Sequence, residues 1–218
     1  MELNQDLLRA KVAIAQRGKK HTVASEAVGN MRIPPGQREV AKMVAMAPIV
    51  RDLSEIHRDK WQLHVSGLVN NPLTLNYEQL LALPLTEAKY DIHCVTAWSR
   101  LDQGFTGVDF DAIIALVQPT SEARFVIFES EADGYSTNVS LAELQSERAL
   151  LTYAIDGSPI SLAYGGPVRM VIPHLYYWKS SKYITHIRFV AEDELGFWEV
   201  RGYHNHADPW TEERYSGG

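Results

Sequence analysis

The chain has 218 residues, of which 45% are hydrophobic and 22% charged, an ordinary soluble composition with enough length to bury a real core. A formal net charge of −6 argues against a nucleic-acid binder, whose contact face is normally basic. The single cysteine, Cys94, excludes an intrachain disulfide, and no apolar run approaches the roughly 20 residues of a membrane span.

The N-terminus "MELNQDLLRAKVAIAQRGKKHTV" lacks a signal-peptide core and a twin arginine, so the sequence reads as cytoplasmic, with no nucleic-acid or membrane partner. Leu3, Leu7, Leu8 and Ile14 recur at helical spacing, which predicts an amphipathic helix over 3–17. "GKKHTVASEAVGNMRIPPGQ" then reads as a linker or wrapping arm, punctuated by Gly and Pro. Residues 1–31 are accordingly a helix and arm, and 32–218 one domain.

From Trp61 the texture changes. "WQLHVSGLV" alternates as a strand does and stops at "NNP";. Asn76 is placed to cap a short helix, "YEQLLAL", which Pro84 ends. "EAKYDIH" is a second strand leading into Cys94, and "VDFDAIIALV" a further helix. "RFVIFES" and "YSTNVS" read as a hairpin about Asp133 and Gly134;. Ser140 and Glu143 have capping-box spacing. "ALLTYAI", "PVRMVIP" and "YITHIRFV" complete the strands, with Asp156 and Gly157 as a turn. Strands dominate with short helices between them, so the expected class is α+β with mixed sheets.

Three constellations carry chemistry. Cys94 ends "YDIHC" at a strand-to-loop junction, with Thr96, Ser99 and Arg100 close in sequence. A lone cysteine serves as a small buried hydrophobe; polar and cationic neighbours instead favour the thiolate that binds soft metals or attacks electrophiles. His93 joins it as a candidate cofactor-binding residue, and as partner base if Cys94 is a nucleophile. In "GGPVRMVIPHLYYWKSSKY", two glycines, Arg169, Ser180, Ser181 and Lys182 offer the donors of an anion site, with backbone N–H groups as a nest. The same residues suit a solvated loop, and no Walker pattern is present. In "RGYHNHADPW", His204, His206 and Asp208 have metal-ligand spacing or form a hydrogen-bonded surface turn.

Together, "HCVTAWSRLDQGFTGVDF", "LLTYAIDGSPI", "YGGPVRMVIPHLYYWKSSKY" and "GFWEVRGYHNHADPW" resemble the sulfite oxidase superfamily of molybdopterin-dependent oxidoreductases, over roughly residues 32–215. The resemblance implies the sulfite oxidase-like molybdopterin-binding fold and a molybdenum-molybdopterin cofactor. It implies Cys94 as the one protein ligand to molybdenum, the pterin dithiolene and oxygen ligands supplying the rest. It also implies Arg169 at the molybdopterin end, Ser180, Ser181 and Lys182 in the cofactor loop, and Ser130 as a further pterin contact. Tyr164 stands where the relatives carry Asn or His. Tyr203 matches an active-site tyrosine, and Arg201 beside it is the candidate holder of an anionic substrate.

No C-x-G-N-R-R segment, haem domain or dimerisation domain accompanies these motifs, so sulfite is not implied as substrate. The function expected is oxygen-atom transfer on a small molecule at a Mo–thiolate centre, with an unidentified electron-transfer partner. A storage or carrier protein for molybdopterin is the alternative, and a Cys94 thiol-nucleophile enzyme the third reading.

Overall fold

The computed structural model describes residues 32–49, 52–130, 132 and 134–217. The helix expected over 3–17, the arm to residue 31 and Asp133 of the hairpin turn lie outside the described residues.

Eleven strands form two sheets among these residues. In the first, β1 (Arg38–Glu39) runs parallel to β5 (Trp98–Asp109), and β5 pairs with β4 (Leu85–Cys94) and β8 (Leu150–Ile155). Beyond β8 lie β9 (Ser158–Pro159) and β10 (Arg169–Val171). The second sheet runs β3 (Leu73–Asn76), β2 (Gln62–Gly67), β11 (His186–Val190), β6 (Phe125–Ser130), β7 (Tyr135–Ser140). Only the β2/β11 pairing is parallel there.

The three short α-helices among the described residues have local causes. Helix α1 (Tyr77–Leu81) begins at a full capping box between Asn76 and Gln79;. Helix α2 (Phe110–Val117) is capped by the Asp109 carboxylate and buries Phe110, Ile113 and Val117 on one face; each side chain so buried is worth about 1.5–3 kcal/mol. Helix α3 (Leu141–Ser146) forms only half of the capping box expected at Ser140. The Ser140 hydroxyl accepts from the Glu143 N–H at 3.2 Å, but the Glu143 carboxylate faces His174 and His206 instead.

The largest departure from the sequence reading is β5, which starts at Trp98, just past the junction read there as strand to loop. It is the longest strand, because polar Ser99, Arg100, Gln103 and Gly104 are paired across β4 rather than solvated. Gly107 lets β8 approach: a Cβ there would stand 2.4 Å from the Leu151 carbonyl;.

Two apolar clusters result. Leu63, Val65, Phe110, Phe128, Met170 and Phe189 belong to the larger one, which joins the two sheets and the helices. The smaller gathers Cys94, Trp98, Tyr177, Trp198 and Tyr203 around a cleft. No helix among the described residues is long and apolar enough to cross a membrane.

Candidate active site

Cys94 closes β4, and β5 restarts at Trp98. Between them Ala97 takes φ +66° and its N–H returns to the Cys94 carbonyl at 3.0 Å. This tight turn puts the thiol on the wall of a cleft that Met46, Tyr164, Tyr177 and Trp198 also line. Cys94 is 5% exposed, and its Sγ lies 3.2 Å from the Thr96 hydroxyl.

His93 does not share that wall. Successive strand residues face opposite ways, so its ring turns to Ser99, with Nδ1 2.9 Å from Oγ, and to the edge of Trp210. Burial holds its pKa at about 4, so the ring is neutral at neutral pH. His93 is therefore not a cationic neighbour of the thiol.

Arg169 is a cation that does reach the cleft. It is 1% exposed, and its guanidinium donates to the carbonyls of Tyr164 at 2.7 Å and Ser180 at 2.8 Å. It also covers the Tyr177 ring at 4.2 Å. Among the described residues no carboxylate lies within ion-pair distance of it, and burial depresses its pKa against support from phenols alone. A desolvated charge without a counter-ion costs several kcal/mol, and an anion in the cleft would relieve it.

Ser180 also lines the cleft, its hydroxyl accepting from the Ile172 N–H at 2.9 Å. Lys182 lines it too, with Nζ on the carbonyls of Met46 and Ala163. Ser181 is buried behind the wall, its Oγ 3.4 Å from the Lys182 carbonyl. Ser130, at the end of β6, is 2% exposed and stands off the wall, with its Oγ unpaired among the described residues.

The nest of free N–H groups expected around the two glycines is absent among the described residues. The N–H groups of Gly165 and Gly166 go to Leu162 and Ser161, and those of Ser180 and Ser181 to Tyr177 and Lys179. Glycine serves packing here. A Cβ on Gly166 would lie 2.0 Å from the Ile160 carbonyl, and one on Gly165 2.6 Å from Cγ of Lys182. Tyr164 reaches the cleft with its ring, its hydroxyl donating to the Met43 carbonyl at 3.2 Å.

Tyr203 stands on the wall, 4% exposed, between the rings of Trp178, Trp198 and Tyr215 at 5.0–5.4 Å. Burial raises its pKa, and the charge of Tyr215 and of the Cys94 thiolate would raise it further. The phenol therefore stays protonated and able to donate. Arg201 is not on that wall: the 199–201 turn and Gly202 at φ +95° divide it from Tyr203. It donates to the Phe197 carbonyl at 2.7 Å and lies over the Phe197 ring.

Sequence reasoning missed two features. Residues 43–49 cover the cleft with Met43, Met46 and Ile49, and nothing in their pattern marked them. Behind Trp178, Lys179 and Glu199 form a wholly buried ion pair at 2.7 Å, and Glu199 also accepts from the Trp178 indole at 3.2 Å. The "HNH" letters form a hydrogen-bonded turn. His204 Nδ1 accepts from the N–H of His206, and His206 bridges Glu143 at 3.0 Å and Glu213 at 2.7 Å.

The model of the oxidoreductase molybdopterin-binding domain matches residues 50–198. The chain is 40% identical over 189 residues to the uncharacterized oxidoreductase YuiH of Bacillus subtilis, covering 85% of this chain and 92% of that one. It is 30% identical to the protein-methionine-sulfoxide reductase catalytic subunits MsrP of Campylobacter jejuni and Ralstonia nicotianae, over 64% and 68% of this chain. Those matches span about half of each subunit, 52% and 51%. The sulfane dehydrogenase SoxCD from Paracoccus pantotrophus superposes with a TM-score of 0.61 at 17% identity, over 73% of this chain and 46% of that one, a likeness of fold.

Proposed function

This chain belongs to the oxidoreductase molybdopterin-binding domain family, and from that premise we propose that it moves an oxygen atom to or from a small molecule, with Cys94 ligating the metal. It is an oxidoreductase of the molybdenum-molybdopterin class. The bound cofactor supplies the two-electron redox chemistry. The likeness to curated oxidoreductases gives no support to the carrier alternative.

The described residues fit the group. A soft thiol and a buried guanidinium with no carboxylate partner share one cleft wall, and that pairing is the observation carrying the proposal. Cys94 would hold the metal as thiolate. Arg169, with Lys182 and Ser180, would bind the anionic end of the pterin; the 2.8 Å bond from Arg169 to the Ser180 carbonyl fixes where the charge sits. Ser130, with its unpaired hydroxyl, and Ser181 stand behind that wall as a supporting layer.

Tyr203 would donate its phenolic hydrogen to the substrate oxygen. Its aromatic surround excludes water, which strengthens that bond. In the reducing direction, the bond between substrate and oxygen breaks, two electrons arrive from an electron-transfer partner, and two protons leave with the oxygen as water. The oxidising direction reverses each change.

The substrate we propose is neutral with an apolar flank. The cations on the wall belong to the pterin end, and Arg201, expected to hold an anion, lies off it on Phe197. The MsrP catalytic subunits, named for protein methionine sulfoxide, support a neutral oxide. A cytoplasmic setting suits a chain whose single thiol needs no oxidising compartment.

The test is metal analysis and pterin fluorescence on protein from a molybdenum-replete host, followed by addition of a neutral sulfoxide to the reduced protein. The expected result is bound molybdenum that is reoxidised by the sulfoxide. Release of intact cofactor to an acceptor apoenzyme, without any redox change, would favour a carrier.

A further inference from the structure

We propose that Gln37 and Arg214, from opposite ends of the described chain, are positioning residues that hold the Cys94 turn for metal ligation. The proposal rests on the reading of Cys94 as the molybdenum ligand. Gln37 Nε2 donates to the Cys94 carbonyl at 2.9 Å, and Arg214 Nη1 donates to the Val95 carbonyl at 2.7 Å. Two successive peptide groups at the thiol are thus fixed by side chains 57 and 119 residues away.

The two donors are themselves built into the fold. Strand β1 starts beside Gln37 and runs along β5, with the Arg38 N–H on the Ala97 carbonyl and the Val40 N–H on the Ser99 carbonyl. Arg214 is 7% exposed and spreads over the Tyr176 ring at 4.9 Å. Its Nη2 returns to the Pro35 carbonyl at 3.4 Å. Gly36 sits between the two donors at φ +68°, where a Cβ would meet the Glu212 carboxylate at 2.7 Å and Arg214 Nη2 at 3.2 Å. Bare backbone is needed for the chain ends to close over the turn.

Burying a guanidinium at this point is costly for the fold alone. Its nearest carboxylate oxygen, on Glu212, is 3.8 Å from Nε, which makes no hydrogen bond among the described residues. A soft ligand's orbital alignment is sensitive to the orientation of its own backbone, and groups behind a ligand commonly control affinity about 10–100-fold. Without Gln37 and Arg214, the Cys94 and Val95 carbonyls lose their side-chain donors, and only backbone bonds such as Ala97 N–H to the Cys94 carbonyl hold the turn.

The experiment compares Arg214→Met, Arg214→Lys, Gln37→Leu and Gln37→Glu, expressed with molybdenum, with Cys94→Ser in parallel. Three quantities are read: molybdenum per pterin, the energy of the sulfur-to-molybdenum charge-transfer absorption, and the melting temperature of the cofactor-free protein. Arg214→Met and Gln37→Leu should shift the absorption, with Arg214→Lys restoring part of the shift. If Arg214→Met fails to fold, the two Gln37 variants decide the matter. A lowered melting temperature with unmoved absorption and full metal would make both residues structural and overturn the proposal. If Cys94→Ser leaves the absorption intact, the reading of Cys94 fails instead. If it removes the absorption while the other variants do not move it, the positioning role alone fails.

Discussion

The guanidinium of Arg169 donates to the carbonyl of Ser180 across 2.8 Å, with the two residues 1% and 2% exposed. The bond joins β10 to the loop bearing Lys182, so the two cations that line the cleft are set by one local structure. Arg169→Lys keeps the charge and loses the fork that serves two carbonyls. Arg169→Lys and Lys182→Ala should each lower cofactor occupancy, since a hydrogen bond to a charged group is worth about 1.5–3 kcal/mol. Pterin fluorescence per protein reads this directly. The melting temperature of the cofactor-free protein should move less, and full occupancy in the double variant would place the pterin's anion elsewhere.

Tyr203→Phe removes one hydroxyl from an aromatic surround that remains intact. Molybdenum and pterin content should be retained while kcat falls about 100-fold or more, the scale of a lost proton donor. Arg201→Ala should leave KM for a neutral oxide unchanged, because its guanidinium stacks on Phe197 away from the cleft. Steady-state kinetics on both variants, with a sulfoxide as substrate, separate the roles. A raised KM in Arg201→Ala would return that residue to the substrate.

His206 links the C-terminal segment to α3. Burial works against its charge, but hydrogen bonds and attraction from Glu213 and Glu143 prevail and raise its pKa above the ordinary 6.5. A raised imidazole adds stability that is fully present below the ordinary value and is lost as pH climbs through the folded one. Burial likewise opposes ionisation of Glu143 and Glu213, yet their partners hold both pKa values below the ordinary 4.5. Their contribution is present above that value and disappears as pH falls through the folded ones. All three are therefore charged between about pH 4.5 and 6.5. Melting temperatures at pH 6 and pH 8 should fall further for the native protein than for His206→Gln. Equal falls would remove the charge from this link.

The sequence carried the parts of this molecule that have local causes. Asn76 capping α1, the period of α2 and the β6/β7 hairpin were all legible, because cap chemistry and alternation act over a few residues. Strand β5 was not, since Ser99 through Gly104 look solvated until β4 is laid beside them. The orientation of His93 was available and unread: neighbours on a strand cannot both face one cleft. The separation of Arg201 from Tyr203 turned on Gly202 in the left-handed region, which spacing alone does not reveal. Residues 43–49, Gln37 and Arg214 reach the site from the ends of the described chain, and no periodicity announces a contact across 119 residues.

The most direct test of the central claim is molybdenum X-ray absorption on the native protein and on Cys94→Ser. If the Cys94 thiolate is the protein ligand, the variant should fold, retain its pterin and show one fewer sulfur at bonding distance from the metal. Its activity should be lost with that sulfur, because oxygen is the harder donor. An unchanged sulfur count around fully bound molybdenum, with activity near that of the native protein, would contradict the account.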